Sequence, residues 1–255
     1  MSNLQMNILI TGASSGIGLE LAKNYLNQGH RVFALARSAD KLSELKNEYG
    51  ELCIPLVADV GELDQLYSIK PAILEKTDHL DKLILNAGTC EYVDARHFMV
   101  KDFAMVDRVN WLGNLHCLEV LLPILMTASS HKKQPHLIGV SSLAAILPLP
   151  RSESYGTSKA ALEYLLKSLQ VDLYADGLLV TIVRPGFVST PLIKSNDFSM
   201  PFIMSSEKAG EIIVKGIASK KTIIQFPFPL VAVMKLIAIL PFSLQKRILQ
   251  KIVGK

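Results

Sequence analysis

Asn7-Ile8-Leu9-Ile10-Thr11-Gly12-Ala13-Ser14-Ser15-Gly16-Ile17-Gly18 carries a short apolar strand, begun at Met6, straight into a glycine turn. Ile17, Leu19, Leu21, Ala22, Tyr25 and Leu26 then recur at helical spacing as far as Gly29. Between a strand and a helix, such glycines gain a meaning they lack alone. They let backbone come close to a pyrophosphate, whose charge is favoured by the free N–H groups at a helix N-terminus. The spacing is G-x-x-x-G-x-G rather than G-x-G-x-x-G.

Outward from this unit, strands and helices alternate. Strands are predicted at 31–36, 53–58, 80–85, 137–142, 178–184 and 222–225, and helices at 38–49, 62–74, 102–126, 155–176 and 207–218. That order predicts an α/β fold built on one doubly wound parallel sheet, with residues 1–255 as a single domain. Ligands of such sheets sit at the carboxyl ends of the strands. Arg37 follows the second strand, and no Asp or Glu lies between Arg31 and Ala39. An acidic residue there would bind the ribose 2′-OH of NAD, whereas an arginine accommodates a 2′-phosphate, so NADP(H) is expected over NAD(H). The alternative is a solvated Arg at a strand end. Ser15 stands where a second basic residue would have strengthened the assignment. Asp59, followed by Val60, could meet an adenine amino group or cap the next helix. Asn86-Ala87-Gly88 ends the fourth strand, where the amide could tie strands together and the small residues leave room for a ribose. Pro185-Gly186-Phe187-Val188-Ser189-Thr190 makes a rigid turn after the sixth strand.

The candidate chemistry lies in Ser154-Tyr155-Gly156-Thr157-Ser158-Lys159. Tyr155 and Lys159 are four apart, so on a helix they share a face. A phenol of pKa about 10 is a poor acid or base at neutral pH. A cation beside it would lower that value and suit it to proton transfer. Ser142, at the end of the strand from Leu137, could hydrogen-bond a carbonyl oxygen that Tyr155 protonates. Asn110 lies inside a long helical stretch, where Asn is a poor fit without a role. The six histidines form neither H-x-x-x-H nor H-E-x-x-H, so no metal site is expected. G-x-S-x-G is absent, which removes the usual support for a hydrolase.

The chain resembles the short-chain dehydrogenase/reductases over about Asn7 to Lys221. The resemblance rests on Thr11-Gly12-x-x-x-Gly16-x-Gly18, Asp59, Asn86-Ala87-Gly88, Asn110, Ser142, Tyr155-x-x-x-Lys159 and Pro185-Gly186 with Thr190, all in the family's order. It implies a seven-stranded Rossmann-type sheet and an NAD(P)-dependent exchange of hydride between nicotinamide C4 and a carbonyl or alcohol carbon. It also implies roles. Tyr155 would be the general acid or base, with Lys159 holding the nicotinamide ribose and lowering the tyrosine pKa. Ser142 would orient the carbonyl, and Asn110 would anchor a water leading protons out from Lys159. Gly12, Ser14, Gly16, Ile17 and Gly18 would line the pyrophosphate, with Ser15 in the same loop. Asp59 and Val60 would meet adenine, Asn86, Ala87 and Gly88 the ribose region, and Pro185, Gly186, Val188 and Thr190 the nicotinamide. Pairing of the long helices into homodimers or homotetramers is a further family expectation. The competing reading is a cofactor-binding sensor without turnover, against which the intact Ser142, Tyr155 and Lys159 set stands.

Apolar residues make up 49% of the chain and the mean hydropathy is +0.30. No secretory signal pattern opens the sequence, and Cys53, Cys90 and Cys117 form no C-x-x-C, which fits reduced thiols in a cytoplasm. No basic–aromatic stretch suggests nucleic-acid binding. The net charge is +4, yet from Ile212 to Lys255 there are eight basic residues and no acidic one, so the remainder is net acidic. Beyond the last strand, the eleven-residue run from Leu230 to Leu240 contains Lys235 and is too short to span a bilayer, which needs about 20 apolar residues. Leu244, Ile248, Leu249, Ile252 and Val253 then recur at helical spacing beside Lys246, Arg247 and Lys251. Residues 230–255 therefore either lie peripherally in a membrane interface or fold back on the domain or another subunit. The stretch 187–206, with Leu192, Ile193, Phe198, Met200, Phe202, Ile203 and Met204, and the segment after Ser142, with Leu143, Ile146, Leu147 and Leu149, favour an apolar, lipid- or steroid-like carbonyl substrate.

Overall fold

The first strand, β1 (Asn7–Thr11), is buried along its whole length, as a central parallel strand covered on both faces must be. In this computed structural model, which describes residues 5–193 and 200–252, the chain continues through α1 (Gly16–Asn27), β2 (Arg31–Ala36), α2 (Ala39–Tyr49), β3 (Cys53–Val57), α3 (Leu63–Leu74) and β4 (Lys82–Leu85). The second half holds α4 (Val100–Asp107), α5 (Gly113–Met126), β5 (His136–Val140), α6 (Glu153–Asp172), β6 (Leu179–Pro185), the short strands β7 (Val188–Ser189) and β8 (Met204–Ser205), α7 (Ser206–Ala218) and β9 (Ile223–Phe226). Phe198, Val253 and Lys255 lie outside the described residues.

Seven strands pair in parallel in the order β3-β2-β1-β4-β5-β6-β9, so the direction of winding reverses between β1 and β4. Ligand crevices open at that reversal, beyond the carboxyl ends of the strands. Aliphatic residues of α3, α5 and α6 form the core on one face of the sheet. Residues of α1, α2 and α7 form it on the other, giving three layers and the doubly wound Rossmann-type architecture expected. The stretch Val100–His131 is long and apolar enough to cross a membrane, but Cys117, Val120, Leu121 and Leu125 of α5 are core residues.

The helix expected over 102–126 is interrupted. Arg108–Leu112 forms one π-helical turn between α4 and α5, with Asn110 buried at its centre. Such turns are frequent at functional sites, because the wider ring of backbone frees groups for other partners. Beyond β9, α8 (Phe228–Ala238) and α9 (Phe242–Ile252) fold back on the body. Val231, Met234 and Ile237 pack on Leu143 and Leu147, with Leu230, Leu149 and Ile248 beside them. One side of the extension thus has its partner in the chain, while its other side, with Phe228, Leu236 and Ile239, is exposed.

Candidate active site

The glycine turn shapes the floor of a cleft of about 470 Å³ at the winding reversal. Gly16 has φ +55° and a Cβ there would lie 2.9 Å from Thr190 Cγ2, so a side chain is excluded by both backbone and space. Gly18 does not line the cleft. Its role is packing, since a Cβ would come within 2.3 Å of the Gly12 carbonyl oxygen, and the first turn of α1 could not approach β1. Ser15, the N-cap of α1, makes no capping bond through its side chain, and no acidic residue stands in the first turn. The helix N-terminus therefore offers N–H donors and positive potential beside the glycines, which fits a pyrophosphate. Gly12, Ser14, Ser15, Gly16 and Ile17 all line the cleft.

Asn86 ties this floor to the neighbouring strand. Its Nδ2 donates to the Thr11 carbonyl at 2.9 Å, and the Thr11 hydroxyl accepts from the amides of Asn86 and Ala87, each at 2.9 Å. Thr11 belongs to the glycine-turn motif, but nothing in a strand-end Thr announces this positioning role locally. Ala87 and Gly88 line the cleft with Asn86, and Val60, Pro185, Gly186, Val188 and Thr190 line it elsewhere.

At one end, Asp59 lines the cleft and does not cap α3. Its Oδ1 accepts from the Gly61 amide at 2.9 Å. Its Oδ2 takes Arg108 Nη2 at 2.9 Å and stands 3.9 Å from Arg37 Nη1. Burial alone would raise this carboxyl, but the Gly61 amide and the two guanidiniums more than offset it and hold it below the ordinary range. Arg37 is 72% exposed at the rim. Arg108 escapes sequence reading because it sits 49 residues from Asp59, inside what reads as a plain helix.

At the other end stand Ser142, Tyr155 and Lys159, where Tyr155 and Lys159 share a helix face as their spacing implies and the end of the strand from Leu137 brings Ser142 beside them. The Ser142 hydroxyl hydrogen-bonds the Tyr155 phenol and also accepts from the Ala144 amide at 3.1 Å. Lys159 shares the helix face with Tyr155, its Nζ 5.7 Å from the ring centre, and donates to the Val140 carbonyl at 2.9 Å. Burial pushes Tyr155 up to about 12, against the lowering by the Ser142 hydroxyl, and burial pushes Lys159 down to about 8.

Asn110 does not line the cleft. Its side chain is spent on the backbone of Thr89, accepting from N at 2.8 Å and donating to O at 2.9 Å, and on Ser158 Oγ at 3.0 Å. Its Oδ1 and Lys159 Nζ nevertheless adjoin the same spot, 3.3 and 3.2 Å from where a Cβ on Gly88 would lie. Far from the cleft, Asp78 bridges the imidazoles of His79 and His131 at 2.8 and 3.0 Å, a grouping that no local histidine motif announces. Lys133 Nζ stands 3.0 Å from His79 Nε2.

Comparison with known proteins agrees with this geometry. The family described as short chain dehydrogenase matches residues 6–199. An uncharacterized oxidoreductase of Myxococcus xanthus is 34% identical over 236 residues, 91% of this chain and 92% of that protein. The 11-beta-hydroxysteroid dehydrogenase-like 3 of Arabidopsis thaliana is 31% identical over 86% of this chain and 72% of its own length. The crystal structure of a short chain dehydrogenase from Burkholderia cenocepacia, in complex with NADP, superposes with a TM-score of 0.81 at 20% identity, covering 95% of this chain and 97% of that one. The chain belongs to the short chain dehydrogenases and is an NAD(P)-dependent oxidoreductase.

Proposed function

We propose that this oxidoreductase is an NADP(H)-dependent carbonyl reductase or alcohol dehydrogenase acting on an apolar, lipid- or steroid-like ketone or secondary alcohol, with residues 1–255 as one domain. The observation that carries the reading is the Tyr155 phenol, hydrogen-bonded by Ser142, in the same cleft as the uncapped N-terminus of α1. The nicotinamide supplies or accepts the hydride. Ser142 orients the carbonyl oxygen, and Tyr155 gives that oxygen its proton in reduction and takes it back in oxidation. Lys159 has three donors and spends one on Val140, which leaves two for ribose hydroxyls. Asn110 Oδ1, beside Gly88, accepts one bond from Thr89 and keeps a second lone pair with which to hold a water on the path from Lys159.

The preference for NADP(H) rests on Arg37. Asp59 already has Arg108, so the Arg37 guanidinium is open to a 2′-phosphate. The apolar substrate is supported by Leu192 and Ile193 in the cleft wall and by the Leu143–Leu147 cluster behind Ser142. The name of the Arabidopsis relative points the same way. On this reading the protein is cytoplasmic and meets a membrane peripherally through residues 230–255. It pairs as a homodimer or homotetramer, for which exposed Tyr164 and Val171 on α6 and Tyr174 in the turn after it provide apolar surface.

The test is NADPH oxidation across carbonyl compounds graded from small and polar to long-chain and steroidal, with Tyr155→Phe as control. Activity that rises with apolar size and vanishes in the variant is the expected result. Activity confined to small ketones would remove the lipid-like substrate. Tight NADPH binding with no turnover on any compound, and no loss of function in Tyr155→Phe, would favour a sensor.

A further inference from the structure

α8 is apolar almost all round, with Lys235 as its one charge. A helix of that kind belongs in a core or a membrane, yet only one side of this one is in a core. Val231, Met234 and Ile237 are buried, whereas Phe228 is 81% exposed, Leu236 63% and Ile239 78%. Phe242 and Leu244, at 65% and 43%, extend the apolar surface into the next helix. That helix presents Lys246, Arg247 and Lys251 to solvent. No carboxylate side chain occurs from Ile212 onward.

The charge decides the occupant. A second copy docked face to face through a two-fold axis would set these cations against their own equivalents, with no acidic side chain of the segment to offset them. An anionic lipid surface offers both an apolar layer and opposite charge. The face is also fixed in place relative to the cleft. Leu143 and Leu147, which follow Ser142, pack under α8. On the side of the Pro185–Gly186 turn, Leu230 Cδ2 and Pro227 Cδ lie 2.8 and 3.0 Å from where a Cβ on Gly186 would be. We propose that α8 and α9 seat this face in an anionic bilayer surface, with the exposed apolar side chains at the acyl boundary and Lys246, Arg247 and Lys251 among the headgroups. The substrate side of the cleft is thereby held at the membrane, where an apolar substrate is concentrated. The inference deepens the peripheral membrane contact proposed above, and the link to substrate delivery rests on the apolar-substrate reading.

The experiment is flotation of the full chain with phosphatidylcholine vesicles, with and without phosphatidylglycerol, in the absence of any carbonyl compound. The protein floats with phosphatidylglycerol vesicles. Leu236→Asp/Ile239→Asp lowers the partition coefficient by about tenfold or more. Lys246→Glu/Arg247→Glu lowers it by about fivefold or more per charge changed. All three proteins keep the same NADPH affinity, measured by fluorescence, because these side chains lie outside the cleft. Equal partitioning of the wild type and the Leu236/Ile239 variant overturns the proposal. So does binding indifferent to phosphatidylglycerol, and so does an absence of flotation combined with a dimer that the same variant splits in sedimentation. Because the measurement uses no carbonyl, failure of the substrate panel leaves it standing, and its own failure leaves the reductase reading intact.

Discussion

Arg184 donates Nε and Nη2 to the two carboxylate oxygens of Glu163, at 2.7 and 2.5 Å, directly behind the part of α6 that carries Lys159. Glu163 also accepts from the Ser141 hydroxyl at 2.9 Å. One buried carboxylate thus joins the residue before Ser142, the residue before Pro185-Gly186, and the helix of Tyr155. Burial would raise the Glu163 carboxyl, but Arg184 and Ser141 overcome this and hold it below its ordinary value. Arg184→Met leaves that buried charge with only the Ser141 hydroxyl and the half-exposed Lys167 ammonium at 3.5 Å, and should cost about 3–5 kcal/mol. Arg184→Met/Glu163→Leu should recover most of the loss in chemical denaturation. Because the folded carboxyl is lowered, its stabilising contribution is full above the unfolded value and fades as pH falls below 4.5 and through the folded value. The gap between the wild type and the double variant should move in the pair's disfavour over that acid range, and a pH-independent gap would refute the linkage.

Lys159 works in the opposite sense. Its folded pKa of about 8 lies below the unfolded 10.5, so the native state binds its proton more weakly than the unfolded chain does. Below pH 8 the buried ammonium opposes folding by roughly 3 kcal/mol, and that cost disappears as pH rises through the window up to 10.5. Lys159→Met also loses the bond to Val140, worth about 1 kcal/mol. At pH 7 the variant should therefore be more stable by about 1–3 kcal/mol while losing its redox activity. A melting temperature below that of the wild type at pH 7 would contradict this.

The same two groups set a pH profile for the reaction. On the proposed reading, carbonyl reduction needs a proton on Tyr155 and the charge of Lys159. Tyr155, at about 12, stays protonated through the accessible range, whereas Lys159, at about 8, titrates within it. The kcat/KM for reduction should fall as pH rises past 8. A profile that stays level well above that value would take the Lys159 charge out of the reaction.

Local motifs made the floor and the Tyr155–Lys159 face legible, because a glycine turn and an i,i+4 pair carry their geometry in their spacing. Strand and helix order likewise gave the sheet, since each element buries its own apolar period. What stayed hidden depends on tertiary neighbours. Glu163 and Arg184 are 21 residues apart and read as an ordinary helix carboxylate and a strand-end arginine. The π turn around Asn110 leaves no period of its own in the sequence. The upward push of burial on Tyr155 was likewise hidden, because spacing reports a nearby charge but not the loss of water. The tail's periodicity could not choose between folding back and facing outward, and the structure assigns one face to each.

Two guanidiniums converge on Asp59 Oδ2, with Arg108 Nη2 at 2.9 Å and Arg37 Nη1 at 3.9 Å, and this arrangement gives the cofactor preference a sharper test. Only Arg37 is positioned to turn from Asp59 to a 2′-phosphate, because Arg108 is also held by Glu62 at 2.7 Å. Arg37→Asp removes the proposed phosphate partner and adds an acceptor for a free 2′-OH. NADPH affinity should fall by about tenfold to a hundredfold, the range for a charge-assisted bond, while NADH affinity rises. Arg108→Met should act indirectly. Asp59, stripped of its shorter partner, draws Arg37 inward, so NADPH binding weakens although the deleted side chain is not assigned to the phosphate. NADH binding, which makes no demand on Arg37, should change far less. Fluorescence titration of both cofactors against the three proteins separates the cases. NADPH affinity unchanged in Arg37→Asp would remove the 2′-phosphate assignment. An equal loss for both cofactors in Arg108→Met would show that Arg108 supports the adenine end of the cleft itself rather than releasing Arg37 from Asp59.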